Sequence, residues 1–341
     1  MNRRDFVSAS AGMPFLAWAS PSRAKEASTT LNFARAASYS ARQRGVSMVV
    51  MGAGRVLFED YPSEGSADRP WETASGTKSF CGVMAAAAVA DGLLTLDETC
   101  ARTLPEWAAD ARSSITMGQL LNLTSGLAGA RIGQPPGYAQ AVGTPLADTP
   151  GSRFAYSPTP FQVFGEIMRR KLRAAALGDN PVTWLRARVL DPIGVSVARW
   201  RLGGDGLPLL PQGAALTARD WARFGHWVLD GGKGVDAVAL ASCFEGSTAN
   251  PGYGLTWWLL RPGLVPPGPG TRAGLEAASG ALADEDVVMA AGAGNQRLYL
   301  LRRRGLVVVR QASGILEAMV GRGPAWRDGE FLQALLGFGP R

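Results

Sequence analysis

Hydrophobic and polar positions divide the chain into strand-rich ends and a helical middle. Helical periodicity over residues 31–44 precedes two apolar runs, 46–51 and 55–59, which flank a glycine turn and predict a β-hairpin. Strand patterns return only in the last third of the chain. The predicted helices after the hairpin are 78–89, 116–123, 160–177, 182–190, 217–229 and 329–336, and the later strand regions are 253–260 and 287–309.

This order predicts an α/β (α+β) fold in which an antiparallel β-sheet is flanked by helices. Strands at both ends of the chain would form one α/β lobe from residues 25–72 and 250–341. A mainly helical lobe, residues 73–249, would be inserted between these two segments. With 341 residues, of which 46% are hydrophobic and 18% charged, residues 25–341 can bury the core of a single bilobal domain.

Residues 1–24 have the features of an export signal. Arg3 and Arg4 precede a modestly apolar stretch, and Ser22 to Ala24 fits a small-x-small cleavage site, so the segment resembles a twin-arginine signal. We therefore expect a periplasmic or secreted protein, the alternative being an irregular cytoplasmic N-terminus. The stretch contains Pro14 and is too short to cross a bilayer, and no other segment is long and apolar enough, so we expect no membrane span.

Charge and cysteine content narrow the possible partners. The formal net charge is +7, but the basic residues are scattered and no nucleic-acid motif accompanies them, so we expect no nucleic-acid partner. The dense run Arg302 to Arg304 lies between two strand patterns and is typical of a solvated turn. Three widely separated cysteines favour buried free thiols over a disulfide framework.

Several kinds of catalytic site can be excluded. His226 is the only histidine, so zinc has no plausible ligand set and we expect no metal. A Ser-His-Asp triad would have to use His226, yet the nearest candidate for a nucleophile elbow, residues 194–198, lacks its final glycine. Neither a phosphate-binding loop nor a dinucleotide fingerprint is complete. No organic cofactor is therefore expected.

Ser75 and Lys78 have a spacing that suits nucleophilic catalysis. Residues three apart at the start of a helix lie on one face, so the lysine amine can reach the serine hydroxyl. The helix N-terminus favours a developing oxyanion, and burial can lower the pKa of the lysine until it accepts a proton. Ser22 and Lys25 also match the S-x-x-K pattern within the signal, so the pattern alone decides nothing.

A longer series of motifs carries a family resemblance. Its elements occur in the expected order over nearly the whole mature chain: the run from Ser75 to Phe80, residues 90–98, residues 115–127, Phe154 to Ser157, residues 217–225, 253–258 and 292–310. The sequence thereby resembles the penicillin-binding-protein and serine β-lactamase superfamily. Within it, the similarity is to the class C β-lactamase-related serine hydrolases, which include D-aminopeptidases, carboxylesterases and 6-aminohexanoate-dimer hydrolases.

The resemblance implies a set of site residues. Ser75 would be the acyl-accepting nucleophile in a cleft between the helical lobe and the sheet, with Lys78 and Tyr156 transferring protons. Backbone N–H groups of Ser75 and of a residue near Asn295 would form the oxyanion hole. Gly294, Trp257 and Trp258 would contact substrate, although core packing explains either tryptophan equally well. The resemblance implies neither a metal nor an organic cofactor.

Two departures from the family pattern bear on the substrate. Pro158 replaces the asparagine of the Y-x-N element, and residues 292–296 lack the usual cation. Arg272 and Arg297 are candidates to replace that cation. We therefore expect a small-molecule ester or simple amide substrate and poor turnover of β-lactams. An acyltransferase and a catalytically silent binding protein for cell-wall fragments remain alternatives, and the sequence does not predict the oligomeric state.

Overall fold

A six-stranded antiparallel sheet forms the centre of the fold, in the order β2-β1-β9-β8-β7-β6. The computed structural model describes residues 31–267, 276–320, 322 and 326–338, so the predicted signal and Arg272 lie outside the described residues. The strands of this sheet are β1 (Gly45–Gly52), β2 (Arg55–Asp60), β6 (Trp258–Leu259), β7 (Val287–Gly292), β8 (Gln296–Leu301) and β9 (Leu306–Ala312). The mixed α/β architecture with an antiparallel sheet flanked by helices is confirmed.

A second, three-stranded sheet lies beside the first. Its strands are β3 (Trp71–Glu72), β4 (Arg199–Trp200) and β5 (Ala214–Leu216), in the order β3-β5-β4. The sequence patterns did not predict these strands, because two or three residues are too few to establish an alternation of polar and apolar positions. The small sheet matters for function, since β3 leads directly into the segment that carries Ser75.

The remaining elements are helices. They are α1 (Phe33–Arg42), α2 (Ser79–Ala90), α3 (Met117–Leu121), α4 (Tyr138–Val142), α5 (Thr159–Ala174), α6 (Pro181–Leu185), α7 (Ala218–Leu229), α8 (Ala237–Ser242), α9 (Ile315–Met319) and α10 (Asp328–Leu336). Most predicted helices are confirmed with ends shifted by a few residues, whereas α4, α8 and α9 were not predicted. None of the helices in the described ranges is long and apolar enough to cross a membrane.

Helices cover both faces of the main sheet. Gly225 on α7 allows close packing on one face, because a Cβ atom there would lie 2.6 Å from Leu298 and 2.9 Å from Val307. On the other face, Tyr299 stacks on Phe331 of α10 with their ring centroids 5.6 Å apart. Strands β7, β8 and β9 are buried along their whole length, which explains why their sequences are almost continuously apolar.

The structure differs from the sequence-based expectations in the packing of α7 and in the length of the strand around residue 258. Helix α7 falls within residues 73–249, the range predicted for the helical lobe, but it packs on β1, β8 and β9 of the main sheet. The strand predicted over residues 253–260 is confirmed only for β6, and its first part was wrong. The reason is a local turn at Thr256, which has a φ of +73° and cannot continue an extended strand.

Candidate active site

Ser75 lies on a tight turn that connects β3 to α2. Residues Ala74–Lys78 form a 3-10 turn, and Ala74 adopts a φ of +47°, a left-handed conformation that is strained for an alanine. Thr77 stabilises the turn by donating a hydrogen bond of 2.7 Å to the Ala74 carbonyl. Ser75 is only half-buried, whereas Gly76 and Lys78 are buried. The turn therefore leaves the Ser75 side chain partly accessible to solvent and keeps the Lys78 side chain buried next to it.

Lys78 meets Ser75 as the spacing of the two residues predicts. Its Nζ donates hydrogen bonds to Ser75 Oγ at 3.0 Å and to the Pro211 carbonyl at 2.9 Å. Neither acceptor is a carboxylate, and only 4% of the lysine is exposed. Burial lowers the pKa of Lys78 from 10.5 to about 7. Near neutral pH a substantial fraction of the amine is therefore uncharged and able to accept the proton of Ser75.

Tyr156 lies beside this pair, just before α5. Its phenol is close enough to the Ser75 side chain for that side chain to lower its pKa. Burial raises the pKa of Tyr156 to about 12, although the Ser75 side chain and the charge of Arg297 both act to lower it. The phenol is thus protonated at neutral pH. Of the two groups that touch Ser75, Lys78 is the one suited to be the base, and Tyr156 is suited to donate or relay a proton.

Aromatic rings enclose the lysine and the tyrosine. Lys78 Nζ lies 4.9 Å from the ring centroid of Tyr156 and 5.4 Å from that of Phe161. Trp258 stacks on Tyr156 from behind, with centroids 5.5 Å apart, and contacts Tyr253 edge-on. Because the aromatic rings keep water away from the lysine, they account for much of the burial that lowers its pKa.

The two predicted substrate-binding tryptophans have different surroundings. Trp257 is fully buried and packs against Phe224 and Phe244, which favours a role in the core over substrate contact. Trp258 is 2% exposed, so it supports Tyr156 without offering an open surface of its own. Of these two residues, only Trp258 contacts one of the predicted catalytic residues.

Strand β7 ends against the nucleophile turn at Gly292, a contact that sequence reasoning did not assign. A Cβ atom at Gly292 would lie 2.1 Å from the Thr73 carbonyl oxygen and 3.1 Å from the Gly76 nitrogen. Only a glycine therefore allows the strand end to approach the backbone beside Ser75. Its position as the last apolar residue before a Gly-rich turn is the only sequence signal that could have indicated this contact.

Gly294 and Asn295 follow in the turn between β7 and β8. Both have positive φ values, +72° and +62°, so the turn bends sharply away from the strand. A Cβ atom at Gly294 would lie 2.9 Å from the Ile315 side chain, and the Asn295 carbonyl accepts a hydrogen bond of 2.8 Å from Arg310. The roles of Gly294 in substrate binding and of Asn295 in the oxyanion hole stay predictions.

One candidate replacement for the missing cation, Arg297, is buried and hydrogen-bonded within the fold, whereas the other, Arg272, lies outside the described residues. Arg297 is 1% exposed, and its Nε donates a hydrogen bond of 2.8 Å to Asp328. Its Nη1 donates to the carbonyls of Gly292 and Gln296. The idea that Arg297 binds a substrate carboxylate is therefore wrong, because its guanidinium is already engaged inside the fold.

His226 and the three cysteines can be placed within the fold. His226 lies on α7, where its Nε2 is 3.3 Å from the Asp230 carboxylate, beside the β1–β2 turn. Within the described ranges, no group of three or more His, Cys, Asp or Glu side chains is placed to hold a metal ion. The prediction of free cysteines is confirmed, since Cys81, Cys100 and Cys243 are all buried and unpaired with one another.

The sequence of this chain matches a known protein family. The sequence profile of the family called Beta-lactamase matches residues 32–314. The chain belongs to the β-lactamase family. That match begins before α1 and ends beyond β9, so it includes Ser75, Lys78 and Tyr156.

Solved structures share the fold of this β-lactamase-family chain at low sequence identity. A protein named as a candidate β-lactamase from Bacteroides dorei DSM 17855 is 20% identical, with a TM-score of 0.68 over 90% of this chain and 100% of that one. EstCE1, described as a hydrolase with promiscuous acyltransferase activity, is 16% identical, with a TM-score of 0.66 over 89% and 97% of the two chains. A D-stereospecific amidohydrolase from Streptomyces sp. is 16% identical, with a TM-score of 0.61 over 84% and 98%. A search of curated proteins gave no match.

Proposed function

We propose that this β-lactamase-family chain is a serine hydrolase that cleaves an ester or simple amide through an acyl-enzyme on Ser75. One observation carries the proposal: the buried amine of Lys78, whose pKa is lowered to about 7, lies 3.0 Å from Ser75 Oγ. A lysine in this state can remove the serine proton near neutral pH. The hydrolases among its structural neighbours are consistent with such a reaction.

Each catalytic group has a step that its position allows. Neutral Lys78 takes the proton of Ser75 as Oγ attacks the substrate carbonyl carbon. The carbonyl oxygen gains negative charge, which backbone N–H groups of Ser75 and of the turn after β7 would stabilise. The Tyr156 phenol gives its proton to the leaving oxygen or nitrogen and is reprotonated from Lys78. Water then attacks the acyl-enzyme by the same route in reverse and releases the acid.

The substrate preference rests on two polar side chains that the site lacks among the described residues. Pro158 stands immediately before α5, where it supplies no side-chain amide for a substrate amide group. Arg297 is engaged with Asp328, and residues 292–296 supply no cation for a substrate carboxylate. A β-lactam presents both an amide side chain and a carboxylate, whereas a simple ester needs neither contact. Two lost polar contacts lower kcat/KM by roughly two to four orders of magnitude.

Steady-state kinetics with a short-chain nitrophenyl ester and a chromogenic cephalosporin test the proposal. We expect kcat/KM to be higher for the ester, and intact-mass spectrometry should detect one acyl group on wild-type protein but none on Ser75→Ala. His226→Ala should retain ester turnover and serves as the control. A higher kcat/KM for the cephalosporin contradicts the ester preference. Ester turnover by Ser75→Ala contradicts the nucleophile, and lack of labelling of the wild type favours a binding protein.

Acyl transfer is a second candidate, because the structural neighbour EstCE1 is described as a hydrolase with promiscuous acyltransferase activity. The same acyl-enzyme could pass its acyl group to an alcohol or amine in place of water. Adding a primary alcohol during ester turnover distinguishes the two reactions. An increase in the rate of nitrophenol release together with a new ester product supports transfer, whereas free acid alone supports hydrolysis.

A further inference from the structure

Residues 208–212 form a segment that contacts Lys78 of the proposed catalytic pair, Ser75 and Lys78. Its sequence is Pro-Leu-Leu-Pro-Gln, and it lies between β4 and β5 without forming a strand. The carbonyl of Pro211 accepts the hydrogen bond of 2.9 Å from Lys78. An uncharged amine has two N–H bonds and one lone pair. When one N–H is held by a carbonyl, rotation of the amine is restricted and the lone pair can be aimed at Ser75.

Side chains from other elements contact most of the backbone carbonyls of this segment. The Tyr138 hydroxyl donates to the Pro208 carbonyl at 2.9 Å, and the indole N–H of Trp200 donates to the Leu209 carbonyl at 2.9 Å. The Cys81 thiol lies 3.6 Å from the Leu210 carbonyl. The segment is therefore positioned by tertiary contacts, since it has no regular secondary structure to fix its path.

Gln162 holds the backbone N–H of Leu210, the residue immediately before Pro211. Its Oε1 accepts a hydrogen bond of 3.0 Å from the backbone N–H of Leu210, and its Nε2 donates one of 2.8 Å to the Pro136 carbonyl. The side chain is fully buried. One partner can only donate and the other can only accept, so a neutral amide of this length satisfies both. In α5, Gln162 directly follows Phe161, whose ring contacts Lys78.

We infer that Gln162 is a positioning residue for the catalytic pair: it fixes residues 208–212 so that the Pro211 carbonyl orients the Lys78 amine toward Ser75. This inference rests on the proposed function. Gln162 does not touch the reacting atoms, and its effect passes through the backbone between Leu210 and Pro211. The proline ring fixes φ at Pro211 and leaves only ψ free between its nitrogen and its carbonyl, so the direction of that carbonyl depends more closely on where Leu210 is held than it would at another residue.

Lys78 is expected to set the acid limb of the pH profile of activity, because the neighbouring titratable groups stay protonated near neutral pH. Cys81 lies one helical turn after Lys78, and burial raises the pKa of its thiol well above neutrality. Tyr156 is likewise protonated at neutral pH, since its pKa is about 12. A carbonyl acceptor stabilises the charged amine more than the uncharged one. Loss of a well-placed Pro211 carbonyl therefore lowers the pKa of Lys78, whereas entry of water would raise it.

The test compares Gln162→Met with Gln311→Met. Gln311 is a fully buried glutamine that also makes two hydrogen bonds, with the Ser47 hydroxyl and with the Leu216 carbonyl, and neither partner lies in residues 208–212. Each variant loses a buried amide of the same size. For ester turnover by Gln162→Met, we expect kcat to fall roughly 10- to 100-fold with KM nearly unchanged, and the acid limb of the pH profile to move to lower pH. Gln311→Met should keep the wild-type kcat and acid limb.

Other results overturn the inference. If Gln162→Met matches Gln311→Met in kcat, or if its acid limb moves to higher pH, then Gln162 is an ordinary structural residue. If Gln162→Met does not fold, Tyr138→Phe decides: loss of its hydrogen bond to Pro208 should lower kcat roughly 3- to 10-fold with the same direction of change in the acid limb, and wild-type kinetics contradict the inference. Failure of the wild type to react with any serine reagent instead contradicts the proposed function.

Discussion

At the scale of single residues, the burial of Lys78 makes it a base near neutral pH but also lowers the stability of the fold. Its amine is buried and its hydrogen-bond acceptors, Ser75 and the Pro211 carbonyl, are both uncharged. That environment lowers the pKa to about 7 and makes the amine a base at neutral pH. The same environment destabilises the fold whenever the lysine is protonated, because a cation is then buried without a counter-charge.

Replacement of this lysine should therefore increase stability while abolishing activity. Below pH 7, the lysine is charged in both the folded and the unfolded chain, so the full cost of burying the charge is present. Between pH 7 and its ordinary pKa of 10.5, only the unfolded chain binds the proton, and wild-type stability rises with pH. Lys78→Met should have a free energy of unfolding higher by roughly 1 to 4 kcal/mol at pH 6, with the gain shrinking toward pH 10.

Denaturant unfolding at several pH values measures this difference. Lys171→Met is the matched control, because Lys171 lies 2.6 Å from the Glu98 carboxylate and its loss leaves a buried charge unpaired. That variant should be less stable than the wild type. A lower stability of Lys78→Met at pH 6 contradicts the account of its pKa.

Tyr156 can be separated from Lys78 by the pH profile. Its pKa of about 12 keeps the phenol protonated through the neutral range, so it is not the group that titrates near pH 7. Tyr156→Phe should lower kcat by roughly 10²- to 10³-fold while the acid limb of kcat/KM stays close to pH 7. Loss of that limb in the variant, measured with the same ester, would assign the base to Tyr156 instead.

At the scale of elements, the site depends on contact between a strand end and a tight turn. The end of β7 at Gly292 reaches the backbone of Thr73 and Gly76, and a single methyl group would separate the two elements. Since backbone N–H groups on both sides are expected to stabilise the oxyanion, their spacing controls transition-state stabilisation.

Gly292→Ala tests this contact. Its Cβ would lie 2.1 Å from the Thr73 carbonyl oxygen, so either the strand end or the turn has to move. We expect kcat to fall at least about 10-fold and the free energy of unfolding to fall by about 1 to 3 kcal/mol. Gly204→Ala is the control, because no atom lies within 4 Å of a Cβ at that exposed position. An unchanged kcat for Gly292→Ala would show that the spacing does not matter.

At the scale of the whole molecule, the fold brings together segments that are far apart in sequence. Ser75 and Lys78 come from the turn after β3, and Tyr156 from the residues just before α5. The Pro211 carbonyl comes from the segment before β5, and Gly292 from the end of β7. Helix α7, from the middle of the chain, completes the cover of the sheet. The site is thus a product of the complete fold, and no single segment could form it.

Export is a further proposal at this scale, based on Arg3 and Arg4 in the segment before the described residues. Replacement of both by lysine should leave the precursor in the cytoplasm, because the twin-arginine pathway depends on that pair. Immunoblotting of cytoplasmic and periplasmic fractions measures the effect. Arg23→Lys, outside the pair, is the control and should be exported normally. Normal export of the double variant would show that residues 1–24 do not function as this kind of signal.

The sequence by itself determined the features that depend on local spacing. The apolar runs of β1, β8 and β9 predicted strands, and the structure shows that all three are buried along their length. The three-residue separation of Ser75 from Lys78 predicted their contact, since that spacing holds within one turn of helix. The proximity of Tyr156 to Ser75 was expected only from the family resemblance, because nothing in the sequence around Tyr156 predicts a contact with Ser75.

Tertiary structure alone decided the features that depend on distant segments. Lys78 contacts the Pro211 carbonyl, and Arg297 contacts Asp328, although the two residues of each pair are far apart in the chain. Trp257 is buried by residues from several elements. No local sequence pattern encodes such contacts. The two- and three-residue strands of the small sheet are stabilised by their partners and by no propensity of their own. Burial, which lowers the pKa of Lys78, likewise exists only once the whole core has assembled around it.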